Sequence, residues 1–226
     1  MVKEEKSNNN LKFWINLSIA LLAMICFFII LFFVLKYDSL KMDNIFYIIC
    51  HDKVESKFMT GFYKIYTYLG SFYGLMIIAL LVLIVFKDKR LGIGLSLNLI
   101  IVGALNFLLK IIVRRPRPEG INIITESGFS FPSGHAMMSI ALFGMLIYFA
   151  YKFIKNKGLR IFLIIIFSIL TLMIGTSRIY LGVHYFSDVL AGFLIGYAVL
   201  SGNIYIFNRL YNYKFKKIIS NKSNDK

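Results

Sequence analysis

The chain is short of acid, cysteine, proline and histidine. Its 226 residues carry 11 Asp and Glu against 26 Lys and Arg, with two cysteines, three prolines and three histidines. So few carboxylates, scattered along the chain, do not suit a two-metal hydrolase, whose site gathers several Asp, Glu and His ligands. Cys26 lies inside an apolar run and Cys50 stands beside His51, with no second pair of ligands to make a zinc site. Internal repeats, low-complexity tracts and a phosphate-binding loop are also missing. The stretch "GIGLSLN" follows no strand, so it is not a dinucleotide fingerprint and reads as small-residue helix packing. With 16% charged and 58% hydrophobic residues, the chain has too little polar surface for an ordinary soluble domain.

What it has instead is hydrocarbon. Mean hydropathy is +0.73, and apolar runs of about 20 residues, enough for a helix to cross a bilayer, recur near 13–35, 61–86, 91–113, 134–155, 160–180 and 185–208. The pattern predicts an all-α polytopic membrane protein of six transmembrane helices in one bundle, forming a single domain over 1–226. The connections are too short for a second core. The first run is longer than a signal peptide's apolar region and lacks a small-residue cleavage site after it, so it reads as an uncleaved anchor. Trp14 and the tyrosines near span ends suit the membrane interface.

The net charge of +15 invites a nucleic-acid partner, but the cations are spread over loops and form no binding module. Topology explains them better. With the N-terminus inside, sixteen of the 26 Lys and Arg fall on the inner side and eight on the outer, while Lys64 and Lys110 lie in spans near the outer face. The positive-inside rule then predicts that both termini are cytoplasmic. The basic tail "NYKFKKIISNKSNDK" fits the same rule.

Three polar clusters share the outer face. In "KIIVRRPRP", Pro116 should end a helix, which leaves Lys110 about a turn inside the membrane with Arg117 just beyond it. Lys110 either snorkels to the headgroups or holds an anion. In "FPSGHA", Ser133 is a good N-cap and Gly134 allows close approach to the backbone, so this is either a plain helix start or an anion site with His135 in its first turn. In "SRIYLGVHYFSD", Asp188 lies four residues after His184 and shares its helical face. That pair either stitches helices together or fixes an imidazole tautomer, leaving Nε2 as base or nucleophile. Together the clusters suit a phosphate dianion.

These residues resemble the type 2 phosphatidic acid phosphatase superfamily. The family pattern is Lys, six residues, Arg-Pro; then Pro-Ser-Gly-His; then Ser-Arg, five residues, His, three residues, Asp. Here it is met by Lys110, Arg117, Pro118, Pro132, Ser133, Gly134, His135, Ser177, Arg178, His184 and Asp188. The resemblance implies that His184 attacks phosphorus, Asp188 orients it, and His135 protonates the leaving oxygen and then activates water. It implies that Lys110, Arg117, Ser133, Gly134 and Arg178 bind the phosphoryl oxygens, with no metal and no cofactor. The implied substrate is a membrane lipid phosphate or diphosphate: undecaprenyl diphosphate, phosphatidylglycerol phosphate, phosphatidic acid or diacylglycerol diphosphate. The first two rank ahead because the richness in Lys, Ile and Asn points to a low-GC bacterium, where recycling of the cell-wall carrier is a common role for the family. With both termini inside, the site would face the extracytoplasmic side of the cell membrane. A lipid phosphotransferase using the same phosphohistidine and a non-catalytic lipid-binding or transport protein are the other readings. Soluble haloperoxidases share the site pattern, but six spans argue against that branch. Neither the oligomeric state nor the part played by 36–60 follows from the sequence.

Overall fold

Val2–Lys36 forms α1. A short α2, Lys41–Tyr47, winds into a π-helical turn at Ile48–Asp52. The other helices are α3, Lys57–Leu69; α4, Phe72–Val85; α5, Lys89–Val113; α6, Gly134–Phe153; α7, Lys157–Tyr180; and α8, Phe186–Asn224. This computed structural model describes residues 2–37, 39–52, 55–119 and 122–224, without the side chains of 2–10, 12, 51, 52, 72 and 212–224. The side chain of His51, all of Lys53 and the cations nearest both ends, counted above for topology, therefore lie outside the described residues.

Among the described residues, five helices are long and apolar enough to cross a bilayer: Phe13–Lys36, Lys89–Val113, Gly134–Phe153, Lys157–Tyr180 and Phe186–Tyr211. They match five of the expected spans. The run at 61–86 is not one helix but two, and the axes of Lys57–Leu69 and Tyr73–Val85 diverge by 52°. A sixth crossing exists only if this bent pair is one broken span. The break has a local cause. Ser71 caps α4 by accepting from the Gly74 N–H at 3.2 Å, while its own N–H and hydroxyl donate to the Tyr68 carbonyl at 3.1 and 2.7 Å. A side chain that caps a new helix start competes with continuation of the old one.

The central helix is α6, packed against α5, α7 and α8, while α1 lies along α8. Close approach of α6 and α8 depends on Gly192, where a Cβ would fall 2.8 Å from the Ser133 carbonyl oxygen. Inside the bundle, the buried Asn98 donates to the Ala141 carbonyl at 2.8 Å and accepts from Asn203 at 2.7 Å, tying α5 to α6 and α8. Outside it, Phe28, Phe32, Ile77, Ile112 and Leu172 are each more than half exposed. In a bilayer such side chains meet lipid tails, so the apolar exterior is the expected surface of a membrane bundle.

Candidate active site

The eight candidate residues gather where α5 ends, α6 begins and α7 turns into α8. Helix α5 stops at Val113 with Arg114 in the left-handed region at φ 52°, two residues before Pro116. Residues 114–119 and 122–133 then fold back over the helix end. Lys110 Nζ donates to the Phe129 carbonyl and, at 3.3 Å, to that of Ser130. Its ammonium is held by the chain that returns over the end of α5. Arg117 uses Nε, Nη1 and Nη2 on the carbonyls of Gly128, Val183 and Ser127 at 3.0, 2.8 and 3.1 Å. That fork joins the returning loop to the turn that carries His184.

Ser133 begins α6 as its N-cap, with the buried hydroxyl accepting from the Ala136 N–H at 3.5 Å. Its own N–H donates to the Asp188 carbonyl at 3.0 Å, so the starts of α6 and α8 are fastened to each other. Gly134 lies against α5, where a Cβ would come within 3.0 Å of Asn106 Oδ1.

The α7–α8 turn closes as a Schellman motif. Val183 N–H donates to the Arg178 carbonyl at 3.2 Å and Gly182 N–H to that of Ile179 at 3.0 Å, with Gly182 at φ 72°. The His184 N–H reaches the same Arg178 carbonyl at 3.3 Å. The five residues between Arg178 and His184 therefore return the chain onto Arg178.

His184 is buried. Its Nδ1 lies 3.4 Å from Asp188 Oδ2, and its Nε2 lies 3.2 Å from Arg117 Nη1. An ionised carboxylate only accepts and a guanidinium only donates, so these neighbours assign the proton to Nδ1 and the lone pair to Nε2. Burial, reinforced by Arg178, Lys110 and Arg117, pushes the imidazole well below its ordinary value. It is neutral at pH 7 with Nε2 facing the cations.

Arg178 is almost wholly buried. Nη1 donates to Thr67 Oγ1 at 2.6 Å and Nη2 to Glu126 Oε1 at 2.5 Å, while Nε has no hydrogen-bond partner among the described residues. His135 meets the Thr67 backbone and, with Arg178, Lys64 and Thr125, lines a cavity of about 410 Å³. His184 lines a separate cavity of about 220 Å³ with Asn44 and Tyr185. The helix break at Gly70 adjoins the site, since a Cβ there would fall 2.9 Å from His135 Cδ2.

Thr67, Glu126, Asp43 and Arg115 also belong to this neighbourhood and were not foreseen from the sequence. Arg115 reads there as an outer-loop cation, yet its fork binds Asp188 and Asp43 at 2.6 and 2.9 Å. Asp43 is one of four acidic residues in the outer segment 36–60, with Asp38, Asp52 and Glu55, so nothing in the sequence singles it out as the partner of Arg115. Among the described residues, no three His, Cys, Asp or Glu are grouped as a metal site would need. Both cysteines are free.

Residues 91–212 match the profile of the PAP2 superfamily. Phosphatidylglycerophosphatase B of Bacillus subtilis (strain 168) is 37% identical over 121 residues, 52% of this chain and 52% of that protein. Decaprenylphosphoryl-5-phosphoribose phosphatase of Mycobacterium tuberculosis is 34% identical over 103 residues, 44% of this chain and 51% of that one. The chain thus spans about half the length of the curated relatives it matches. The fold is similar to the crystal structure of a transmembrane PAP2 type phosphatidylglycerolphosphate phosphatase from Bacillus subtilis, with a TM-score of 0.75 and 23% identity over 84% of this chain and 96% of that one. It is also similar to Aquifex aeolicus LpxE, with a TM-score of 0.62 and 24% identity over 74% and 97%.

Proposed function

The chain belongs to the PAP2 superfamily, and from that premise we propose that it removes phosphate from a membrane lipid phosphate or diphosphate through a phosphohistidine at His184. The observation that carries this reading is the pair of contacts on one imidazole, a carboxylate at Nδ1 and a guanidinium at Nε2. In the first step the Nε2 lone pair forms a bond to phosphorus as the bond from phosphorus to the lipid oxygen breaks. His135 gives a proton to that oxygen, and Asp188 stabilises the imidazolium that forms. In the second step His135 takes a proton from water, the water oxygen bonds to phosphorus, and the bond between phosphorus and Nε2 breaks.

Lys110, Arg117, Arg178 and the start of α6 at Ser133 and Gly134 bind the three non-bridging oxygens. The unpartnered Nε–H of Arg178 supports this assignment, because a buried donor without an acceptor costs about 1–3 kcal/mol and a phosphoryl oxygen would satisfy it. The described donor set supports a reaction that needs no metal.

The two curated relatives are named for phosphatidylglycerophosphate and decaprenylphosphoryl-5-phosphoribose, which supports a lipid-linked phosphate as the substrate class. The distribution of Lys and Arg supports cytoplasmic termini and a site at the outer face. The test is phosphate release in detergent with EDTA present, from undecaprenyl diphosphate, phosphatidylglycerol phosphate, phosphatidic acid and diacylglycerol diphosphate. Activity in wild type and none in His184→Ala is expected. Strict metal dependence would overturn the mechanism, an active mutant the nucleophile, and no release from any lipid the enzymatic reading itself.

A further inference from the structure

We infer that Asp43 and Arg115 are positioning residues for the nucleophile, and that Asp43 leaves the Asp188 carboxylate with a negative charge to spare for His184. The geometry is a buried fork. Arg115 Nη1 donates to Asp188 Oδ1 at 2.6 Å and to Ser187 Oγ at 2.8 Å, while Nη2 donates to Asp43 Oδ2 at 2.9 Å. The other Asp43 oxygen accepts the Ser187 N–H at 2.8 Å, so α2 grips the residue next to Asp188. Asp43 stands at the third position of α2 and also accepts the Leu40 N–H at 3.0 Å, which fixes its own direction. The Arg115 guanidinium lies 4.0 Å over the Tyr185 ring.

Asp188 is left with one oxygen for catalysis. Oδ1 belongs to Arg115, and Oδ2 takes the Tyr185 N–H at 3.0 Å and faces His184 Nδ1. The side chains of Arg115, Asp43 and Asp188 are 2%, 1% and 0% exposed, so their charges act with little screening.

Two carboxylates and one guanidinium carry a net charge of −1. Without Asp43, Arg115 would neutralise Asp188 and the imidazole would face an uncharged pair. With it, the trio matches the single positive charge that the ring of His184 gains when Nε2 bonds to phosphorus. The outer segment 41–47, which shows no purpose in the sequence, thereby becomes part of the catalytic frame.

The inference rests on the proposed role of His184 as nucleophile. Groups that face His184 are Lys110 from α5, Arg117 and Glu119 from the loop, His135 from α6, Arg178 from α7 and Asp188 from α8, with Asp43 and Arg115 behind Asp188. The experiment compares kcat, KM and the pH dependence of kcat/KM for Asp43→Asn and Arg115→Gln in detergent, on one lipid phosphate that the wild type hydrolyses.

Asp43→Asn keeps an acceptor for the Ser187 N–H and removes the charge. Its kcat should fall by about 10- to 100-fold, the range for partners one shell behind an orienting group, with KM unchanged. Its acid limb should move to lower pH, because less negative charge beside the imidazole weakens proton binding. Arg115→Gln leaves two carboxylates without their cation, so its limb should move to higher pH. A structural staple would lower the melting temperature and move neither limb; limbs that stay in place, or that move together, overturn the inference. Should either variant not fold, Arg115→Lys decides, since it keeps the charge but cannot fork onto both carboxylates: reduced kcat at unchanged KM supports the inference, and wild-type kcat overturns it. An active His184→Ala would instead sink the nucleophile reading on which all of this stands.

Discussion

Arg117 spends each of its guanidinium nitrogens on a backbone carbonyl and still reaches Nε2 of His184 at 3.2 Å. A lysine at this position would keep the charge and lose the fork. Arg117→Lys is therefore expected to lower kcat/KM about 10²- to 10³-fold, the loss typical of one oxyanion donor, as read by phosphate release at subsaturating lipid. His184 makes a second prediction. Because burial and the surrounding cations hold its imidazole below the ordinary range, 15N spectra of histidine-labelled protein should show His184 neutral, protonated at Nδ1, at pH 6.5. The unfolded imidazole takes up a proton near pH ~6.5, the folded one only at lower pH, so acidification through that window favours the unfolded chain and should lower the melting temperature. At this scale the sequence spacing already placed the candidate residues close together, because they occupy the last turns of α5 and α7, the segments that follow, and the first turns of α6 and α8. Asp43 was not legible, since its partner Arg115 stands 72 residues away and no local period links them.

Turns, rather than spans, decide whether those residues meet. The Schellman closure after α7 needs a left-handed residue, and Gly182 supplies it at φ 72°. In Gly182→Ala a Cβ would be forced into that region at about 1–2 kcal/mol. We expect a lower melting temperature together with reduced kcat, because the turn carries His184 onto the Arg178 carbonyl. Reduced stability with wild-type kcat would show that the turn does not set the working position of His184. Five long helices were legible from hydropathy alone, as burial in lipid demands a continuous apolar run. The break between α3 and α4 was not legible, since the run "YLGSFYGLMII" stays apolar across Gly70 and Ser71. Hydrogen-bond competition at Ser71, not a change of hydropathy, divides it. That break matters chemically because Thr67, one turn earlier, meets both Arg178 and His135.

At the scale of the whole molecule, every proposed catalytic group lies at one end of the bundle, and the basic residues near 87–90 and 152–160 lie at the other. If the charge asymmetry sets orientation, the two ends differ in what can reach them from outside the cell. Glu119 is exposed and lines the cavity beside His184, whereas Lys155 is exposed in the connection between α6 and α7. A membrane-impermeant maleimide should therefore label Glu119→Cys in intact cells and label Lys155→Cys only after lysis. Both substitutions belong in a background with Cys26 and Cys50 changed to alanine. Cys50 packs against Ala136, Ile179 and Val189, and burial raises its thiol above the ordinary range, so its own reaction should be slow. The reverse labelling pattern would turn the protein over in the membrane and move the site to the cytoplasmic face. The proposed role of His184 would survive that result, because its contacts with Asp188 and Arg117 do not depend on which side of the bilayer supplies the lipid.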